Sequence, residues 1–338
     1  MTTLFYPAWE SLEIRDLPVP GISEGGVLLK VAACGICGSE LETYRNRSNR
    51  RTPPLVMGHE FCGTVVNPGT SPLHFKEGQQ VVSYALVICG LCRPCRRGDT
   101  HLCTKREVFG MHRPGAFAEY VSVPASSLIP WPEGVPAQAA CLAEPLANGV
   151  HIADRLQPHK PRTVVILGAG PIGLMCQQAV QVMLGVRTII SDTVPGRLET
   201  AKKLGAFAVA KAGTSELDAQ VAEVSEGEGV DAVIDAVGSE TTKQLALKLV
   251  RPGGAVVWIG LHENTISFDS YAVTLSEKTV YGSYAATLGE LAYAVKLMSE
   301  GKVDAESWVQ TFPLERGVEA FHRMLNAQGN DIKGVLLP

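Results

Sequence analysis

Residues 163–173 read "TVVILGAGPIG", and few stretches restrict a fold as tightly. A β-branched apolar run ends in Gly168, Gly170 and Gly173, with Pro171 and Ile172 between the last two glycines, and a helical pattern follows. A second apolar run, "TIISD", ends at Asp192, nineteen residues past the last glycine. A GxGxxG placed between strand and helix, with an acid at this distance, predicts a dinucleotide cradle. Gly168 permits the tight turn, Gly170 lets backbone approach a pyrophosphate, and Gly173 lets the helix pack on the sheet. Unpaired N–H groups at the helix start then face the phosphates. Asp192 is expected to bond the adenosine ribose hydroxyls and to repel a 2′-phosphate, favouring NAD over NADP. Arg197, five residues later, is a further candidate cofactor contact and softens that preference.

The alternation continues downstream. "TVPGRLETAKKLGA" reads as a helix leading to the strand "FAVA". "GVDAVIDAVG" reads as a strand, and "ETTKQLALKLVRPGG" as a helix ending at glycine. "AVVWIG" is the next strand, and "KTVYGSY" closes the series. The expected class is α/β, with a doubly wound parallel sheet. The longest uncharged run, "TVVILGAGPIGLMCQQAVQVMLGV", has the length of a membrane helix, but its early Gly, Pro and Gln residues fit a buried strand and helix better.

"CGLCRPCRRGDTHLC" carries Cys89, Cys92, Cys95 and Cys103. Two-residue gaps let neighbouring sulfurs converge on one ion, and a longer return brings in the fourth. Four thiolates fill a tetrahedral zinc shell, so such a site is structural. Arg93, Arg96 and Arg97 are placed to offset its negative charge. A disulfide loop, a redox pair and a nucleic-acid-binding zinc ribbon stay open from spacing alone. A thioredoxin-like redox pair should open a helix after a strand, whereas these cysteines sit among Gly, Pro and Arg.

Three further fragments carry potential ligands. They are Cys34 and Cys37 in "VAACGICGSELETYRNRSNRR", His59 and Glu60 in "PPLVMGHEFCGTVV", and Glu144 in "ACLAEPLANGVHIADR". Singly each is weak. Together a thiolate, an imidazole and a carboxylate, with one replaceable position, suit a catalytic zinc. Arg45, Arg47, Arg50 and Arg51 follow with no acid among them. They read either as a solvated loop or as a clamp for an anionic substrate.

The chain of 338 residues has room for two domains, and its formal net charge of −4 argues against a nucleic-acid partner. The start, "MTTLFYPAWESLEI", has acids where a signal peptide wants basic and apolar residues, so a cytoplasmic location is expected. Structural disulfides are rare there.

In order along the chain stand "CGICGSELETY", "GHE", "CGLCRPC" with Cys103, "GAFAEYV", "EPLA", "GAGPIG" and Asp192. This series resembles the zinc-dependent medium-chain alcohol dehydrogenase family over nearly the whole chain, most of all its sorbitol and polyol dehydrogenase branch. The resemblance implies a GroES-like, β-rich catalytic domain in residues 1–147 and 285–338. A Rossmann NAD-binding domain would occupy residues 148–284, with the active site in the cleft between them. It implies one catalytic and one structural zinc per chain. Cys37 and His59 would be catalytic ligands and Cys34 packing. Glu60 and Glu144 match positions that ligate the metal or lie behind it. Ser39 matches the hydroxyl that takes the substrate proton. Gly260, Leu261 and Ser283 would edge the nicotinamide.

Two departures stand out. The family usually has Asp where Glu40 stands and often His where Glu42 stands. An ordinary Glu, at about 4.3, is a poorer neutral-pH proton acceptor than a His at about 6.5. Glu42 is either a tuned relay or bypassed by ribose hydroxyls and water. The activity implied is hydride transfer from a secondary alcohol or polyol to NAD⁺, in a homotetramer or homodimer with no membrane or nucleic-acid partner. L-threonine and sugar phosphates are alternative substrates. A non-catalytic NAD-binding member should have lost Cys37 or His59, and both are present.

Overall fold

A computed structural model describes residues 1–71, 73–131, 134–327 and 329–338. The chain forms two compact units. The first holds Met1–Glu144, Thr287–Ala327 and Asp331–Pro338; the second holds Pro145–Ala286 together with Gly329 and Asn330. The junctions fall at 144/145 and 286/287, against 147/148 and 284/285 read from the sequence.

The first unit is mostly antiparallel β. Its main sheet runs Leu128–Pro130, Gln80–Ser83, Glu60–Asn67, Gly26–Gly35, Lys333–Leu337 and Val309–Pro313, with Tyr120–Pro124 also paired to Gly26–Gly35. Among the described residues only Val309–Pro313 and Lys333–Leu337 pair in parallel within it. Val27, Leu29, Val31 and Ala33 alternate inward along the long strand, as a period of two demands. They join Phe61, Phe109, Phe117, Phe321 and Leu336 in or beside one buried core. Glu60–Asn67 pairs antiparallel with Gly26–Gly35, placing Glu60 opposite Gly35. That register carries His59 and Glu60 to the end of the long strand, two residues before Cys37.

The second unit holds six parallel strands. In spatial order they are Ala208–Lys211, Arg187–Asp192, Thr163–Leu167, Val230–Asp235, Val250–Trp258 and Thr279–Gly282. Numbered along the chain this is 3-2-1-4-5-6, the doubly wound dinucleotide-binding order. The uncharged run is the strand Thr163–Leu167 followed by the helix Pro171–Leu184. Among the described residues no helix is long and apolar enough to cross a membrane.

Two details differ from the sequence reading. The helix expected to run on to Gly254 is Glu240–Leu249, and the strand begins at Val250. Val250 already pairs with Val230, and the register then shifts so that Ala232 pairs with Ala255. The extra residues form a bulge in which Gly253 takes a φ of 68°. Arg251 Nε donates to Asp231 Oδ1 at 3.0 Å and fixes the bulge to the neighbouring strand. The helix Glu216–Ser225, not read from the sequence, packs Leu217 and Val221, four apart, into the core.

Candidate active site

Cys37 caps the start of the helix Gly38–Asn46. Its Sγ and one ligand atom each of His59 and Glu60 lie within 4.8 Å of one another. His59 and Glu60 are 7% and 1% exposed, so these ligand atoms face one another away from bulk water. Cys34 is fully buried in the apolar core and is not part of the cluster. Glu144 lies half-buried in the first turn of the helix Ala143–Leu156, also outside it.

The groups around this cluster hold it in a metal-ready state. Glu40 is fully buried, and its Oε2 accepts from the Cys37 N–H at 2.9 Å. Its Oε1 accepts from the Gly58 N–H at 2.9 Å and meets His59 Nδ1 at 2.9 Å. A carboxylate bonded to one ring nitrogen sets the tautomer that leaves the other free as a metal ligand. The departure from Asp therefore has a geometric meaning: one Glu carboxylate spans two backbone donors and the imidazole. Burial pushes the Glu40 carboxyl up, and His59 and Arg51 outweigh it, so the net shift is down. Burial pushes His59 down, and Glu40 and Cys37 reverse that, so the imidazole holds a proton well above its usual range. A bound cation would displace that proton and answer the same negative groups. The donor set thus fits Zn²⁺.

Behind Glu60 stands Lys333, 2% exposed, from the strand Lys333–Leu337. Its Nζ donates to Ile36 O at 2.9 Å and forms a buried ion pair with Glu60 Oε2. Burial pulls the ammonium down, and Glu60 and Cys37 more than restore it. The sequence reading missed Lys333. A lone lysine in the apolar strand "KGVLL" was the available signal.

Ser39 Oγ lies 3.3 Å from Cys37 Sγ and accepts from Arg51 Nη2 at 3.0 Å. Arg51 is 1% exposed, so it belongs neither to a solvated loop nor to a clamp open to substrate. Arg45 donates to Leu325 O, and Arg47 pairs with Glu10. Arg51 is thus the one member of the run drawn into the core, while Arg45, Arg47 and Arg50 stay on the surface. Glu42 is half-buried with no hydrogen-bond partner among the described residues.

The second cysteine cluster is equally compact. One ligand atom each of Cys89, Cys92, Cys95 and Cys103 lies within 4.8 Å of the others. Cys92 and Cys95 sulfurs are 3.4 Å apart, and those of Cys89 and Cys103 are 3.5 Å apart. A disulfide needs about 2.05 Å. A tetrahedral zinc with bonds near 2.3 Å separates sulfurs by roughly 3.8 Å. Backbone N–H groups of Cys95 and Thr104 pull the Cys92 thiol down to about 6. Burial and the neighbouring sulfurs push Cys95 up to about 12. Four thiolates this close need a cation, and the set fits structural zinc.

In the second unit Gly168 has a φ of 96°, and its N–H donates to Ser191 O at 2.7 Å. A Cβ on Gly173 would run into the Gly168 carbonyl oxygen, whereas one on Gly170 would meet nothing within 4 Å. Gly170 therefore faces an open cradle at the head of the helix that begins with Pro171 and Ile172. Asp192, at its strand end, accepts from Ala169 N at 2.7 Å and Val194 N at 2.8 Å. Each oxygen keeps a further lone pair for a ribose hydroxyl. Arg197, near the start of the helix Pro195–Lys203, has a buried Nε without a partner. Gly260 and Leu261 follow the strand Val250–Trp258, and Ser283 follows Thr279–Gly282 with its buried Oγ unpartnered. These positions all sit at carboxyl ends of parallel strands, where such folds bind ligands. Asp235, unread from the sequence, joins them: burial raises its carboxyl, and Oδ2 has no partner. The donors and the open cradle fit a dinucleotide.

The family profile "Alcohol dehydrogenase GroES-like domain" matches residues 23–133, and "Zinc-binding dehydrogenase" matches residues 171–300. The chain is 33% identical over 323 residues to L-galactonate-5-dehydrogenase of Escherichia coli (strain K12), covering 95% of this chain and 94% of the relative. It is 34% identical over 299 residues to L-threonine 3-dehydrogenase of Pyrococcus abyssi (strain GE5 / Orsay), covering 87% and 86%. Its structure is similar, with a TM-score of 0.92 and 29% identity over 100% of this chain and 99% of the other, to a protein from E. coli CFT073 described as a short chain alcohol dehydrogenase and solved with NADH.

Proposed function

The chain belongs to the zinc-dependent medium-chain alcohol dehydrogenase family, and from that premise we propose that it oxidises a secondary hydroxyl of a polyol or sugar acid with NAD⁺. The observation that carries the reading is the convergence of Cys37, His59 and Glu60 within 4.8 Å, with Ser39 Oγ 3.3 Å from Cys37 Sγ.

Cys37 and His59 would hold the zinc, with Glu60 or Glu144 as the acidic ligand. Bound there, Zn²⁺ supplies Lewis acidity that lowers the pKa of an alcohol hydroxyl. The glycine cradle and Asp192 would hold NAD⁺, whose nicotinamide would supply the hydride acceptor. The chain's own groups do the rest. Ser39 takes the hydroxyl proton. Glu40 fixes the imidazole, and Lys333 holds Glu60. Pro171 opens the helix whose free N–H groups receive phosphate, and Asp192 receives the ribose. Cys89, Cys92, Cys95 and Cys103 would hold the structural zinc.

A sugar acid or polyol is favoured by the L-galactonate relative, and the D-arabitol-phosphate dehydrogenase of Enterococcus avium, 32% identical over 333 residues, supports a sugar phosphate as an alternative. The threonine relative supports L-threonine as a second reading. A cytoplasmic enzyme assembled as a homodimer or homotetramer completes the proposal.

The test mixes zinc-loaded protein and NAD⁺ with alditols, sugar acids, L-threonine and alditol phosphates and follows NADH. Chelator-sensitive turnover, highest on a polyol or sugar acid, is expected. Highest turnover on L-threonine or a phosphate would replace the substrate assignment. Turnover untouched by removing the zinc would overturn the mechanism.

A further inference from the structure

Arg51 is among the largest fully buried side chains, and its guanidinium is enclosed by neutral acceptors. Nε donates to Gly110 O at 3.0 Å. Nη1 donates to Ser39 O at 3.0 Å and to Thr43 Oγ1 at 3.4 Å, and Nη2 donates to Ser39 Oγ at 3.0 Å. Thr43 Oγ1 in turn donates to Ser39 O at 3.0 Å. No carboxylate bonds Arg51 directly among the described residues; the buried Glu40 carboxylate answers its charge from a distance, and every direct bond of the guanidinium goes to a neutral oxygen. Both ends of the Ser39 residue, carbonyl and hydroxyl, are gripped by one rigid fork.

A serine hydroxyl has one hydrogen and two lone pairs, and a guanidinium has donors only. Arg51 therefore occupies one lone pair of Ser39 Oγ and cannot accept its hydrogen. What remains is one acceptor site and one donor. In the structure that donor is aimed at Cys37 Sγ, 3.3 Å away. Resting on the dehydrogenase reading above, we propose that Arg51 is a positioning residue that holds Ser39 as a one-in, one-out proton conduit. As the substrate O–H bond breaks, its proton forms a new bond to Ser39 Oγ. The hydrogen Ser39 already carried leaves to water or to the Glu42 carboxylate. The electron pair of the carbinol C–H bond goes to the nicotinamide. Arg51 bonds neither substrate nor cofactor; it removes the Ser39 orientations in which both jobs cannot be done at once.

The experiment is a double-mutant cycle on the zinc-loaded enzyme with Arg51→Met, Ser39→Ala and the pair. Arg51→Met is expected to lower kcat about 10–100-fold, the scale of a misplaced reacting group. KM for the alcohol should stay within about threefold, since substrate binding is untouched. Two zinc ions per chain and the affinity for NAD⁺, read by tryptophan fluorescence, should be retained. The solvent deuterium effect on kcat should grow as proton transfer becomes limiting. The pair should be no slower than Ser39→Ala alone, because Arg51 acts only through that hydroxyl. Losses that multiply in the pair, or a wild-type kcat in Arg51→Met, would overturn the proposal. If Arg51→Met does not fold, Arg51→Lys enters the same cycle: one ammonium cannot serve Gly110 and both Ser39 oxygens. A wild type silent on every alcohol counts against the dehydrogenase reading instead. The Arg51 link is then read in metal-free protein from iodoacetamide alkylation of Cys37, followed by peptide mass spectrometry. Arg51→Met and Ser39→Ala should raise that rate equally and without adding. An unchanged rate in Arg51→Met would overturn it.

Discussion

Replacing Lys333 by Met removes one partner of a buried pair and leaves the other in place. Both side chains are 2% exposed, so the Glu60 carboxylate cannot recruit bulk water. Breaking a buried pair from one side costs about 3–5 kcal/mol, because the remaining charge is uncompensated. Ile36 O also loses its 2.9 Å donor. For a unit of ordinary size roughly 2–4 °C of Tm accompanies each kcal/mol, so the loss should be roughly 6–20 °C. That figure applies to protein stripped of metal. With zinc present the Glu60 carboxylate has a second cation within its own cluster, and the loss should be smaller. Scanning calorimetry of stripped and zinc-loaded protein reads both values. Glu60→Leu added to Lys333→Met should recover most of the loss in stripped protein, since an apolar pair leaves no stranded charge. The reasoning is refuted if Lys333→Met shifts the stripped protein by under about 2 °C, or if the pair is less stable than Lys333→Met alone.

Three further outcomes follow from the same geometry. Glu40→Gln should weaken zinc at the Cys37–His59 site about 10–100-fold, the usual cost of losing the carboxylate behind a ligating imidazole, while the four-cysteine site keeps its ion; chelator competition with metal analysis separates the two. Gly170→Ala should fold normally and lose NAD⁺ affinity, whereas Gly173→Ala should lose thermal stability as well, because only the second Cβ meets backbone; calorimetry and fluorescence titration distinguish them. Cys103→Ser should release one zinc per chain and lower Tm while leaving NAD⁺ affinity within about twofold, because Cys103 and its three sulfur partners lie in the first unit and the cradle lies in the second.

Much of this arrangement was legible in the sequence because its signals are local. The glycines around Pro171 and the four cysteines of residues 89–103 each act within one turn or loop, so spacing reports geometry. The helix end at Leu249 was not legible, since Gly253 suits a helix stop and a bulge equally. It took pairing of Val250 with Val230 to choose the bulge. Arg51 was hidden by its company: among four arginines it looks like surface, and its bonds to Ser39, Thr43 and Gly110, the last 59 residues away, exist only in the folded chain. Lys333 lies 273 positions from Glu60, beyond any window that periodicity can scan. Glu40 was visible as a departure from Asp, but its purpose needed the 2.9 Å contacts to three different groups.

The strand Lys333–Leu337 lies between Gly26–Gly35 and Val309–Pro313, whereas all six strands of the other unit lie between Thr163 and Gly282. During synthesis the parallel sheet can therefore close once residue 282 has emerged. The metal-binding unit cannot. Cys37, His59 and Glu60 leave the ribosome early and then wait for residues 333–337 to fill the gap in their sheet and bring the balancing ammonium. A chain whose synthesis stops anywhere between the two is left with an open sheet edge and an unanswered carboxylate, features by which quality-control machinery can tell it from a finished molecule.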